Sequence, residues 1–113
     1  MHIYKSLFCD DVCQDKRKKL LRKIKYHAGL TSTYVIALAN GNDYFDLIPG
    51  YVLKQKAYPV KDLHIMGLAD GYDNAVILVI KMIGVFFEKY GTYQFKDFLM
   101  QEKEMNFTGY NRK

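Results

Sequence analysis

The sequence has no tryptophan, only two cysteines and two prolines, and no acidic residue anywhere between Lys16 and Lys25. Each absence excludes something. Two thiols, Cys9 and Cys13, are too few for a disulfide framework, and the three residues between them are not the spacing of a thioredoxin-type pair. A zinc centre needs further ligands, and His2, His27 and His64 stand far apart in the sequence. Long apolar runs are missing too. The run Ala75–Ile80 is broken by Lys81, and even Ala75–Phe87 falls short of the about 20 residues that cross a bilayer. The opening Met1–Lys5 lacks the apolar core of a secretory leader. These features lead us to expect a cytoplasmic protein with no membrane partner, and no motif implies a cofactor or a metal.

What is present is enough for one packed domain. Of 113 residues, half are hydrophobic and 26% charged, a balance that favours a core over disorder. We expect that domain over residues 1–105, with 106–113 as a polar tail that frays. Ten tyrosines and seven phenylalanines supply bulk, and the tyrosines add polar tips suited to half-buried faces.

Pattern and punctuation give the elements. Ile3–Phe8 reads as a short strand. Asp10–Asp15 reads as a loop, with Asp15 as the N-cap of a helix over Lys16–Ala28. Leu20, Leu21, Ile24 and Ala28 fall at helical spacing there, and Gly29 is the expected left-handed cap. Thr33–Ala39 and Tyr44–Ile48 read as two strands of a hairpin around Asn40–Asp43, whose Asn and Gly tolerate positive φ. Pro49 ends the second strand and leads into a short helix, Gly50–Ala57. Asp62–Ala69 reads as a strand, followed by a turn at Asp70–Gly71. A long helix then runs from Tyr72 to a cap at Gly91, with Asp70 or Asp73 able to cap its start. A last short helix over Gln94–Lys103 carries Phe95, Phe98, Leu99 and Met105 on one face. The expected class is α+β: a single domain with a small mixed sheet in the order β-α-β-β-α-β-α. The long apolar helix packs on that sheet, and a short final helix follows.

Two segments are candidates for recognition. Lys16, Arg17, Lys18, Lys19, Arg22, Lys23 and Lys25 carry seven positive charges against a chain net of +5, so the rest of the chain sums to −2. Such a face attracts phosphate or an acidic partner, although a solvated outer helix face has the same composition. The long helix is apolar around most of its circumference, which requires either cover from its own chain or a partner. The stripe Val76, Val79, Ile80, Ile83 and Phe87 is the candidate dimer face.

Other features point less far. Gly67–Gly71 lies between a strand and a helix start, where phosphate can bind. Its spacing matches no phosphate-loop or dinucleotide fingerprint, and Asp70 opposes an anion, so a structural turn is the better reading. His64 sits in a strand, and no serine, cysteine or aspartate has a recognisable nucleophile context.

Four segments taken together resemble a family of small uncharacterised bacterial proteins. They are Tyr4–Phe8, Lys25–Gly29, Tyr34–Ala39 and Ile65–Ala75. The resemblance spans about the whole chain and implies a single α+β domain, and it carries no activity and no functional residues to this sequence. Three functions follow as expectations, in descending order. The first is a non-enzymatic interaction module, acting as a homodimer or with a protein partner. The second is a nucleic-acid accessory protein using residues 16–25. The third is an enzyme whose site is assembled from separate segments around His64, which would need a concave pocket joining polar groups.

Overall fold

The computed structural model describes residues 1–39 and 43–109. The chain begins with β1 (His2–Cys9), then α1 (Asp11–Gln14) and α2 (Arg17–Lys25). β2 (Thr33–Leu38) and β3 (Phe45–Pro49) form the hairpin, and α3 (Gly50–Leu53) follows it. A 3-10 turn over Val60–Asp62 leads into β4 (His64–Asp70) and α4 (Tyr72–Tyr90). α5 (Phe95–Gln101), α6 (Lys103–Asn106) and β5 (Phe107–Gly109) close the fold.

The strands make one five-stranded sheet in the order β3-β2-β4-β1-β5. β1 and β4 are parallel, and the remaining neighbours are antiparallel. This is the mixed α+β sheet expected, with helices on both faces. Val35, Ala37, Ile65 and Leu68 point to one side, where they meet Cys13 of α1, Leu20, Leu21 and Ile24 of α2, and Leu53 of α3. Ile36, Met66 and Ala69 point to the other, where they meet Ala75, Leu78, Met82 and Phe86 of α4, and Phe95 and Leu99 of α5. β4 is central and covered twice, so its apolar residues run almost without interruption.

A bulge sets the phase of β4. Ile36 of β2 pairs with Gly67, yet the next residue, Ala37, pairs with Ile65. The extra residue switches the alternation, so that Ile65 and Leu68 share a face. Gly67 also allows close approach by β1, since a Cβ there would lie 3.1 Å from the carbonyl oxygen of Phe8.

Several local expectations are corrected. Within the expected polar tail, Phe107–Gly109 form a strand, because Phe107 is buried and pairs with Tyr4 across β5 and β1, and residues 110–113 lie outside the described residues. The chain's last described element is therefore a strand rather than a helix. The N-cap before the basic helix is not Asp15. Asp11–Gln14, within the expected loop, form α1, which Asp10 caps through the Cys13 amide, while α2 follows Lys16, which makes no side-chain cap. Neither Asp70 nor Asp73 caps α4; Gly71, at φ 87°, occupies that position. The basic helix ends early, at Lys25, and His27 rather than Gly29 takes the left-handed position, with φ 56°. The Ala28 amide donates to the Lys23 carbonyl and the His27 amide to that of Ile24, which is a Schellman closure. A left-handed non-glycine costs about 1–3 kcal/mol. His27 offsets it in part by donating from Nδ1 to the Leu53 carbonyl at 3.0 Å, tying α2 to α3. The final helix divides into α5 and α6, and Met105 is exposed rather than sharing the buried face of Phe95 and Leu99. The cap at Gly91 is as expected, at φ 71°, its amide donating to Phe87. Asn40–Asn42 of the expected hairpin turn lie outside the described residues.

Candidate interaction faces and the polar pocket

The ends of the parallel pair β1 and β4 are joined by one carboxylate. Asp10 Oδ1 accepts from the Cys13 amide at 2.8 Å and Oδ2 from the Asp70 amide at 2.7 Å. Next to it, Ser32 Oγ donates to Asp70 Oδ1, and the Gly71 amide donates to the Ser32 carbonyl. The Gly67–Gly71 junction is therefore a latched structural turn, with its carboxylate already engaged. Burial, the hydrogen bond to Asp10 and nearby negative charge push the Cys13 thiol up to about 12. Burial likewise raises Cys9. Both thiols stay protonated near neutral pH, which is the opposite of what a nucleophilic or redox cysteine needs. Among the described residues, no group of three or more His, Cys, Asp or Glu side chains could hold a metal ion. Nor is any described helix long and apolar enough to cross a membrane.

The seven basic residues lie on the outer side of α2 and its entry. Leu20, Leu21 and Ile24 point inward, Lys16, Arg17, Lys18, Lys19 and Arg22 are exposed, and Lys23 and Lys25 are half-buried. Lys16, Lys19 and Lys23 line a groove of about 120 Å³, with Thr31, Ser32, Thr33 and the acidic Asp70 as the rest of its polar wall. The sequence did not signal that wall, because it reaches α2 through the loop that precedes β2 and through the end of β4.

α4 buries Ala75, Leu78, Met82 and Phe86. Of the five stripe residues singled out from sequence, Val79 and Ile83 pack partly against the core and Val76 is half-buried. Ile80 and Phe87 are exposed, Ile80 at 66%. Opposite the buried face, the outward surface runs through Ile77 (64% exposed), Ile80, Gly84 and Phe87. Tyr93 extends it by stacking on Phe87 with ring centroids 4.3 Å apart. Lys81 and Glu88 lie alongside, both exposed.

A pocket of about 410 Å³ opens where β1, β4, α6 and β5 meet. His2 and His64 are register partners on the parallel strands, and their rings stack at 4.5 Å and 13°. The Phe107 ring meets His64 edge-on at 5.0 Å. Lys5, Lys103, Glu104 and Thr108 complete the polar lining. Burial, then the proximity of His2 and Lys103, lowers the His64 pKa below the usual imidazole value. Such a pocket, joining polar groups from separate segments, is what the enzyme reading required. It brings His64 together with His2, which stands far from it in the chain and belongs to no motif.

Comparison with known proteins returns no significant match to a family model, a curated protein or a solved structure.

Proposed function

We propose that this is a cytoplasmic, non-enzymatic association module that pairs with a second copy of itself through the outward face of α4. The observation that carries this reading is the apolar run Ile77, Ile80 and Phe87, left open by the packing of the described residues. Two Ile side chains about two-thirds exposed on one helix face are costly in water and become stabilising once covered. Gly84 adds a second argument. A Cβ there would meet nothing within 4 Å among the described residues, whose packing gives no reason for glycine. Mid-helix glycine nevertheless costs about 0.5–1 kcal/mol relative to alanine. Close approach by a second helix supplies the missing reason.

Charge favours a second copy over an unrelated partner. Lys81 and Glu88 flank Gly84 on the same side of the helix, about 10.5 Å apart along the axis. An antiparallel crossing near Gly84 sets Lys81 of each copy against Glu88 of the other, as a two-fold interface requires. Replacing Ile80 by Lys tests the face. The residue is exposed in the monomer, so monomer stability should change by no more than about 0.5 kcal/mol. Each dimer would lose two buried isoleucines, and its dissociation constant should rise roughly a hundredfold or more. Association that survives the substitution unchanged would remove α4 from the interface.

The Lys16–Lys19–Lys23 groove supports a second reading, phosphate-backbone binding of nucleic acid. Changing these three lysines to Gln should flatten the slope of log affinity against log salt for duplex DNA by about 2.7. An unchanged slope, or no binding by the parent protein at low salt, excludes it.

A further inference from the structure

The polar pocket beneath α6 is independent of both surfaces. Its walls come from both ends of the chain and from the central strand, which holds its geometry against the core. His2 and His64 are fixed by the register of β1 and β4, and Phe107 by its pairing with Tyr4. The stacked imidazoles, with the Phe107 ring edge-on to His64, make one aromatic wall. Opposite in character are Lys5 and Lys103, which bring ammonium donors to the same cavity against one carboxylate, Glu104. His2 is exposed, and its ring makes no side-chain hydrogen bond among the described residues. A volume of about 410 Å³ falls in the range of small-ligand sites.

We propose that this pocket binds a small ligand carrying an oxyanion, a carboxylate or a phosphate ester, next to a flat ring. Lys5, Lys103 and His2 hold the anion by charge-assisted hydrogen bonds. The His2–His64 stack and Phe107 receive the flat part, where ring faces and edges pair favourably. Burial first, and then the neighbouring His2 and Lys103, lower the His64 pKa, and the Lys103 charge also attracts the anion. Glu104 opposes it, which gives the site a residue whose removal should strengthen binding.

Imidazole NMR signals provide the readout, because the chain has three histidines and one of them, His27, is committed elsewhere at Leu53. Phenyl phosphate is the probe, with inorganic phosphate as the version lacking a ring. His2 and His64 signals should shift saturably while His27 stays fixed, and phenyl phosphate should bind more tightly than inorganic phosphate. Lys103→Gln should weaken binding about tenfold, the effect of one lost charge-assisted bond, and Glu104→Gln should tighten it. Both residues are exposed, so both variants keep the fold. Unmoved His2 and His64 signals, equal shifts at all three histidines, or wild-type affinity in both variants would overturn the site.

Discussion

Phe86→Ala should destabilise the monomer by about 3–5 kcal/mol, while Phe87→Ala, one residue along the same helix, should cost far less. Phe86 is fully buried where four elements converge. Its ring meets Tyr4 at 5.6 Å and Phe8 at 5.7 Å, both edge-on, and stacks on Phe95 at 5.2 Å. Phe45 of β3 lies 6.4 Å away. Truncation would empty the space between α4, α5 and the sheet, and aromatic neighbours held on separate elements cannot all collapse into it. Small domains are stable by only about 5–15 kcal/mol, so the variant would sit near the unfolding threshold. Phe87 is 39% exposed, and its truncation removes a ring stack with Tyr93 at the surface rather than filling atoms in the core. Urea unfolding midpoints of the two variants decide the matter. Equal losses would mean that α4 is rotated from the orientation described here.

The second large effect is expected at Asp10. Its two oxygens satisfy two backbone amides, of Cys13 and Asp70, that no other group reaches in the described structure. Alanine would orphan both, at about 1–3 kcal/mol each. Asparagine keeps one acceptor and should recover about half of that loss. Asp11→Ala is the control, an exposed carboxylate in the first turn of α1. Amide exchange at Cys13 and Asp70 should accelerate together in Asp10→Ala. Exchange at either amide that stays at the native rate would contradict the bridging role.

The sequence makes some of this legible and hides the rest for physical reasons. Thr33–Leu38, rich in β-branched and aromatic residues, reads correctly as a strand, and Gly91 reads correctly as a helix cap. The rotation of α4 does not, because a helix apolar on nearly every side has no phase in its sequence. Its buried stripe is chosen by rings from β1, β3 and α5, so Ile77 and Gly84 face outward where Val79 and Ile83 were expected to. β5 is three residues in a polar stretch, and only its pairing with distant β1 makes it a strand. His27 replaces Gly29 as the left-handed residue because its ring finds a carbonyl on another helix, a partner invisible to local pattern. The His2–His64 stack depends on parallel register, and so does the bridge from Asp10 to Asp70. The longer elements follow local pattern, whereas β5, the faces and the sites depend on pairings far apart in the chain.

Sedimentation equilibrium of the unmodified protein, over a concentration series reaching into the micromolar range, tests the proposed association most directly. Self-pairing through α4 predicts a species of twice the 13.2 kDa chain mass that dissociates on dilution and is lost in Ile80→Lys. A mass of 13.2 kDa at every concentration would contradict it.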